Sequence, residues 1–139
     1  MAKMRVLFVS SDMHVGGVTT ALLSLIEALD AARYDIDLLL YENNGPLQAR
    51  IPAKVRVLPQ AKMHQTHSVA NILCKAFSPS YLGGRLHASI LEKGLHRPLE
   101  GLQIRSRHGA RYSRRLADTY DLAISFIEFW PLYYTAQYV

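Results

Sequence analysis

The feature that most constrains the fold is an apolar run, a double glycine and an amphipathic segment in direct succession near the start of the chain. "RVLFVSS" (residues 5–11) has the composition of a strand buried on both faces of a sheet. Gly16 and Gly17 follow, and apolar residues then recur at helical spacing over residues 18–29. A second apolar run, "YDIDLLLY" (residues 34–41), completes a strand–helix–strand unit, which implies a parallel sheet with a right-handed crossover. The apolar face predicted for the helix comprises Val18, Leu22, Leu25, Ile26 and Leu29.

Two later apolar runs extend this pattern. "VRVLP" (residues 55–59) predicts a third strand, and "DLAISF" (residues 121–126) predicts a fourth. A helix is expected over residues 132–139, with Pro131 in its first turn. The sequence therefore predicts an α/β fold in which a parallel sheet of about four strands carries helices on both faces. Because doubly wound sheets often continue to a fifth or sixth strand, this sheet is expected to be incomplete.

The stretch between the third and fourth predicted strands is mostly helical in pattern. One apolar stripe runs from Val69 to Phe77. A second apolar stripe comprises Leu82, Leu86, Ile90 and Leu91. A third candidate helix, residues 102–117, is rich in Arg and poor in periodic apolar residues.

Composition restricts the class of protein. The chain has 139 residues, of which half are apolar, and this suits one folded domain over residues 1–139. Its single cysteine, Cys74, cannot form an internal disulfide and fits a reducing compartment. No run approaches the ~18 apolar residues of a membrane-spanning helix. We therefore expect a cytoplasmic protein that is at most peripheral on the inner face of the membrane.

The net charge of +5 is unevenly distributed. Nine Lys or Arg lie between residues 75 and 115, against Glu92 and Glu100 only, which indicates an anionic partner or a solvated basic face. An anionic membrane surface is one such partner. Nucleic acid is disfavoured, because the sequence lacks a helix-turn-helix, zinc-finger or aromatic RNA-binding pattern. The side chains predicted to contact an anionic surface are Arg105, Arg107, Arg111, Arg114 and Arg115.

The loops after the predicted strands are the expected place for a ligand, since open α/β sheets bind ligands outside the carboxyl ends of their strands. Gly16 and Gly17 would lie there at a helix start, where unpaired backbone N–H groups favour an anion. Two interpretations remain open: the glycines permit a tight turn, or they let a diphosphate approach the backbone. Glu42 lies where a dinucleotide fold places its ribose-binding acid, but the Gly-x-Gly-x-x-Gly fingerprint is missing.

Four segments together resemble a known family. "RVLFVSSDMHVGGVTTALLSLIEALD", "YDIDLLL", "IPAKVRVLP" and "YDLAISFIEFWPLYYTAQYV" look like the N-terminal domain of retaining GT-B glycosyltransferases of the large family 4-like group. The match covers most of the chain and is weak over residues 60–116. The resemblance implies a Rossmann-like acceptor-side domain that faces a donor-binding domain across a cleft. The expected partners are a nucleotide-diphosphate sugar donor and a glycan or lipid-linked acceptor, with no cofactor.

The same resemblance assigns binding residues but no catalytic residue to this chain. Gly16 and Gly17 match the loop that reaches toward the donor phosphates and the transferred sugar. Asp12, His14 and Val18 flank that loop, and Glu128 would face the acceptor.

Other features depart from the family or are ambiguous. The family's donor-site Glu-x7-Glu pair belongs to the missing C-terminal domain, so the 139 residues alone are expected to be inactive. Glu92 and Glu100 have that spacing, but Pro98 interrupts any helix across them. His64 and His67 have no evident third ligand, so no metal site is predicted. The competing hypothesis is a non-catalytic α/β module that binds an anionic surface or a partner protein.

Overall fold

The protein forms a four-stranded sheet with helices on both faces. The computed structural model describes residues 2–59, 79–95, 97–111, 113 and 115–139. The strands are β1 (Met4–Ser10), β2 (Tyr34–Leu40), β3 (Val55–Val57) and β4 (Leu122–Ser125). The α-helices are α1 (Gly17–Ala28), α2 (Pro79–Ser89), α3 (Pro98–Arg111) and α4 (Trp130–Tyr138). A short 3-10 helix spans Pro46–Arg50, and a π-helical turn, Ile90–Gly94, follows α2.

All four strands are parallel, in the order β3-β2-β1-β4. Val6 of β1 lies opposite Ile36 on one side and Leu122 on the other. The predicted α/β class with a parallel sheet is thus confirmed. The chain moves outward from β1 to β3 and then crosses back past β1 to β4. The direction of strand order therefore reverses between β1 and β4.

Helix α1 covers one face of the sheet. Its buried residues are Thr19, Leu22, Leu23 and Ile26, and the last three pack on the β1 and β2 side chains that point to this face. The apolar face predicted from periodicity was partly wrong, because Val18 and Leu25 are 43% and 40% exposed. Leu23 takes the inward position, since the helix is rotated toward that side when it packs on the sheet.

Helices α3 and α4 cover the opposite face. Leu7, Val9 and Leu39 of the sheet form a core there with Trp130 and Tyr134 of α4. The Trp130 indole is held by a hydrogen bond from its Nε1 to the Ser113 hydroxyl at 3.0 Å. This bond satisfies the buried N–H of the ring and fixes the start of α4.

The amino-terminal half of the same face is polar. Asp37 lies in the middle of β2 with a side chain only 8% exposed, directly opposite Arg56 of β3. Arg56 donates to both carboxylate oxygens, at 2.8 and 2.5 Å, and the Tyr120 hydroxyl donates at 2.8 Å. Asp118 accepts a further bond from Arg56 at 2.7 Å, and the Arg5 guanidinium lies 3.9 Å from Asp37. The cluster joins β1, β2, β3 and the segment before β4.

Helices α2 and α3 form a hairpin in which glycines allow the two helices to approach each other closely. A Cβ on Gly84 would lie 2.5 Å from the His108 ring, and one on Gly101 would lie 2.8 Å from the Ala88 carbonyl oxygen. The helix predicted over residues 102–117 begins earlier, at Pro98, and ends at Arg111.

Glu92 and Glu100 lie on different helices, as the intervening Pro98 predicted. Several predicted features fall outside the described residues, namely the Val69–Phe77 stripe, His64, His67, Cys74 and Arg114.

We predict that Asp37→Asn lowers the free energy of unfolding by about 1–3 kcal/mol, because the amide cannot accept all the hydrogen bonds of the carboxylate. Burial alone would raise the pKa of Asp37, but hydrogen bonds from Arg56 and Tyr120 and the charges of Arg56 and Arg5 hold it below 3.8. The stabilisation is therefore present above that pH and is lost as the pH falls further.

Urea unfolding at several pH values measures both effects of Asp37→Asn. The matched control is Asp35→Asn, which removes a carboxylate of the same strand that is 59% exposed and 3.6 Å from Lys3. The control should change stability by less than about 0.5 kcal/mol. Equal losses in the two variants would contradict the role given to Asp37.

We predict that the α2–α3 hairpin becomes less stable as the pH falls below about 6.5. Burial of the His108 ring, and then the charges of Arg111, Arg107 and His87, lower its pKa from 6.5. Its Nδ1 is buried without a hydrogen-bond partner among the described residues. The unfolded chain therefore takes up a proton more readily than the folded one, and stability declines toward acid.

The slope of unfolding free energy against pH between 7.5 and 5.5 is the measurement for His108, and His108→Gln should flatten it. His87→Gln serves as the control on the neighbouring helix. A slope unchanged by His108→Gln would show that this ring does not control the acid response.

Candidate functional site

Three loops meet at the carboxyl edge of the sheet. They are residues 11–16 after β1, residues 41–45 after β2 and residues 126–129 after β4. Since strand order reverses between β1 and β4, the loops after these two strands flank the crevice where open α/β sheets bind ligands. This is the edge predicted from the sequence.

The loop after β1 is fixed to the loop after β2 by backbone hydrogen bonds. Met13 N–H donates to the Asn44 carbonyl at 2.9 Å, and Leu47 N–H donates to the Met13 carbonyl at 3.0 Å. The Met13 side chain is fully buried in the core beneath. Gly45 has φ +118, and a Cβ there would lie 2.3 Å from the Met13 carbonyl carbon. Gly45 is therefore the glycine on which this contact depends.

Gly16 and Gly17 are not required by the backbone. Gly16 is extended, with φ −175 and ψ 163, a conformation that any residue adopts. A Cβ built on either glycine meets nothing within 4 Å. The interpretation that they permit a tight turn is therefore unsupported. The absence of side chains at these two positions instead leaves the backbone accessible.

The backbone that they expose is the start of α1. The first helical hydrogen bond runs from Thr20 N–H to the Gly16 carbonyl, so the preceding amides of residues 17–19 have no acceptor within the helix. The first turn carries no acidic side chain that would occupy this position. Val18 is 43% exposed beside it. The arrangement offers N–H groups and a partial positive charge to an anion.

Asp12 and His14 form a pair on the rim of this loop. The Asp12 carboxylate accepts the His14 backbone N–H at 3.0 Å and lies 3.1 Å from its Nδ1. The His14 side chain is 64% exposed and that of Asp12 38% exposed. The pair therefore holds an imidazole at the rim with its other nitrogen, Nε2, directed away from the carboxylate.

Glu128 lies on the other side of the crevice, in the loop after β4. It lines an open depression of about 280 Å³ together with Phe126 and Leu132. The next residue, Phe129, has φ 65 and ψ −121, a strained conformation for a non-glycine residue. Trp130 is anchored in the core immediately afterwards, and the Tyr41 ring lies tilted against it, with 4.8 Å between the ring centres.

The structure places the predicted site residues on one sheet edge but joins only some of them. Asp12 and His14 contact each other, and Gly16, Gly17 and Val18 form the helix start. Within the described part of the chain, no hydrogen bond or ion pair connects Glu128 to these residues. The two sides of the crevice are therefore formed by separate loops.

The predicted arginine surface is divided by the fold. Arg107 and Arg111 are four residues apart on one side of α3, whereas Arg105 lies on the other side and pairs with Glu92 at 2.5 Å. Arg115 lies beyond the helix, with its guanidinium 5.0 Å from the centre of the Tyr138 ring. Arg114 is outside the described residues.

Sequence reasoning missed three residues that shape this edge: Gly45, Met13 and Phe129. The "NNGP" turn pattern was visible, but only the fold shows that Gly45 contacts Met13. Nothing in the local sequence around Phe129 indicates a positive φ.

Comparisons with protein-family models, curated proteins and solved structures find no match to this chain. In the described part of the chain, no helix is both long and apolar enough to cross a membrane.

We predict that alanine destabilises the protein strongly at one kind of glycine and only slightly at the other. Gly45→Ala forces an L-residue into a positive φ and against the Met13 backbone, so it should cost at least about 2 kcal/mol of unfolding free energy. Gly16→Ala and Gly17→Ala meet no atoms and should change stability by less than about 1 kcal/mol. Thermal and urea unfolding of the three variants measures this. Comparable destabilisation by all three would restore the tight-turn interpretation.

Proposed function

We propose that this chain is the N-terminal, acceptor-side part of a glycosyltransferase. In the complete enzyme a sugar would move from a nucleotide-diphosphate sugar to a glycan or a lipid-linked acceptor. The sequence resemblance motivates the proposal. The observation that carries it is the double glycine at the start of α1, which the backbone does not need and which leaves the helix amides accessible.

The chemistry explains what such a helix start would contribute. When the sugar leaves its donor, negative charge develops on the departing diphosphate. Backbone N–H groups fixed in advance around that charge lower the barrier, because they need no reorganisation during the reaction. Gly16 and Gly17 would supply part of this environment, and the donor-binding domain would supply the rest. No cofactor or metal is part of the proposal.

The acceptor would lie on the β4 side of the crevice. Glu128 has an exposed carboxylate beside the depression after β4, and such a group accepts hydrogen bonds from sugar hydroxyls. The exposed His14 imidazole, oriented by Asp12, can donate or accept a hydrogen bond across the crevice. These residues are assigned binding roles only.

The second candidate function is a non-catalytic module that binds an anionic surface or a partner protein. Arg107 and Arg111 favour it, because they lie on the same side of α3 and, within the described residues, no acidic side chain pairs with them. Nothing in this candidate needs the double glycine. The two functions therefore predict different consequences of changing Gly16 and Gly17.

We predict that Gly16→Ala and Gly17→Ala each lower kcat/KM for sugar transfer by about 100-fold in the protein of the complete reading frame, because a methyl group would hold the diphosphate away from the amides. Release of nucleoside diphosphate from a panel of UDP-, GDP-, ADP- and dTDP-hexoses is the assay. The 139 residues alone should show no transfer.

The matched control is Gly83→Ala, since a Cβ at Gly83 in α2 also meets nothing within 4 Å and Gly83 belongs to none of the three loops at the carboxyl edge of the sheet. It should leave kcat/KM unchanged. Normal transfer by the Gly16 and Gly17 variants, or no transfer from any of the sugar nucleotides, would overturn the proposal.

A further inference from the structure

The depression after β4 adjoins the loop that contains Gly16 and Gly17. Val9, near the end of β1, lies opposite Ser125, the last residue of β4, so the loops that follow the two strands begin side by side. Strand order reverses at this point, and ligands of open α/β sheets bind at such a reversal. The residues around the depression therefore decide what kind of molecule can lie next to the glycine loop.

The wall of the depression is mainly hydrocarbon. Three of its five lining residues have apolar side chains, namely Phe126, Ile127 and Leu132. The Phe126 N–H donates to the Val9 carbonyl at 2.9 Å, and the Phe126 ring meets the Phe8 ring edge to face. Leu132 is 51% exposed in the first turn of α4. These side chains offer van der Waals contact to a ligand but no hydrogen bond.

One polar side chain of the depression is left for a ligand. The Ser125 hydroxyl donates to the Ile127 carbonyl at 2.8 Å, so its proton is used within the loop. Glu128 is exposed and makes no hydrogen bond or ion pair with another described residue. An ionised carboxylate only accepts hydrogen bonds, so the ligand must bring the donor. A pyranose ring lying in the depression would turn several hydroxyls toward hydrocarbon, where they lose water without gaining partners.

The backbone beside Glu128 is held in a fixed shape. Phe129 has φ 65 and ψ −121, a conformation that glycine adopts without strain and that other residues rarely adopt. The following residue, Trp130, is 6% exposed in the core, so the chain turns from solvent to core across Phe129 alone. A strained residue persists where its surroundings determine its conformation, and such residues cluster at ligand sites. The carboxylate and the apolar wall are thus set in place before a ligand arrives.

We propose that the acceptor of the transferase places an apolar group, an alkyl chain or an aromatic ring, in this depression and directs a hydroxyl to Glu128. The assignment rests on the proposed function, and of the two acceptor classes named there it selects the one with an apolar moiety. The volume of about 280 Å³ is close to the lower end of ligand pockets, which span about 300–1,000 Å³, so it suits one such group.

The experiment compares octyl β-glucoside with methyl β-glucoside, which differ only in the alkyl chain. Each is titrated into the isotopically labelled 139-residue protein, below the concentration at which octyl β-glucoside forms micelles, and the amide signals are followed by two-dimensional NMR. Octyl β-glucoside should shift the signals of residues 125–132 and bind at least about tenfold more tightly, because its methylenes leave water. Phenyl β-glucoside, titrated in the same way, shows whether a ring or a chain fits better.

The variant that tests the wall is Leu132→Gln, which replaces an exposed apolar side chain without a change of charge. It should weaken binding of octyl β-glucoside by about fivefold or more, since an amide has replaced part of the apolar surface. Leu132→Met keeps the site apolar and should retain binding. Leu99→Gln in α3 is the matched control, because Leu99 is 67% exposed and lies in none of the three loops of the crevice.

Three results would overturn the inference. They are equal binding of the octyl and methyl glucosides, binding of octyl β-glucoside that Leu132→Gln retains, and a dimer in light scattering that Leu132→Gln converts to a monomer. The last result would make a second copy the occupant. The titration uses no sugar nucleotide, so a failure of the transferase assay and a failure of this binding experiment are separate observations.

Discussion

The pairing of β1 with strands on both sides is the interaction on which the rest of the structure depends. Residues Val6–Ser10 are all buried, and their side chains alternate between the two cores. β2 on one side and β4 on the other are hydrogen-bonded to β1 in parallel register. Because the carboxyl ends of the three strands then coincide, the loops that follow them are placed at a single edge.

The loop after β1 owes its shape to one close approach. The buried Met13 side chain holds the loop down, and the Gly45 backbone contacts the Met13 carbonyl where no side chain would fit. Two adjacent residues beyond this point, Gly16 and Gly17, are free of such contacts. The same loop therefore leads from a segment fixed by packing to a segment with open space around its backbone.

The four strands could be predicted from the sequence. A continuous apolar run such as residues 34–41 indicates a strand that is buried on both faces of the sheet, whatever its neighbours are. The orientation of α1 about its axis could not be predicted in the same way. Helical periodicity allows either Leu23 or Leu25 on the buried face, and contact with the sheet decides that Leu23 is buried. The roles of the glycines depend on the fold for the same reason. Gly16, Gly17 and Gly45 are identical in sequence terms, and the difference lies in which atoms surround each one.

The site residues were predicted from pattern and resemblance, and the fold gathers them at one edge without connecting Glu128 to the rest. The arginines show the limit of reading charge along a chain. Arg105 and Arg107 are two residues apart, yet helical geometry turns them to different sides, and Arg105 pairs with Glu92.

The strand order also determines when the crevice comes into existence during folding. β1 pairs with β2, which is close to it in the sequence. β4 is far from β1 in the sequence, so Val6 can pair with Leu122 only after the long intervening segment has formed a loop. Closing so long a loop is the slow, entropically costly step in a topology of this kind. The glycine loop faces Glu128 only once β4 has docked. Completion of the sheet and formation of the crevice are therefore one event, and a chain that stalls before it displays the helix start of α1 without the opposite side.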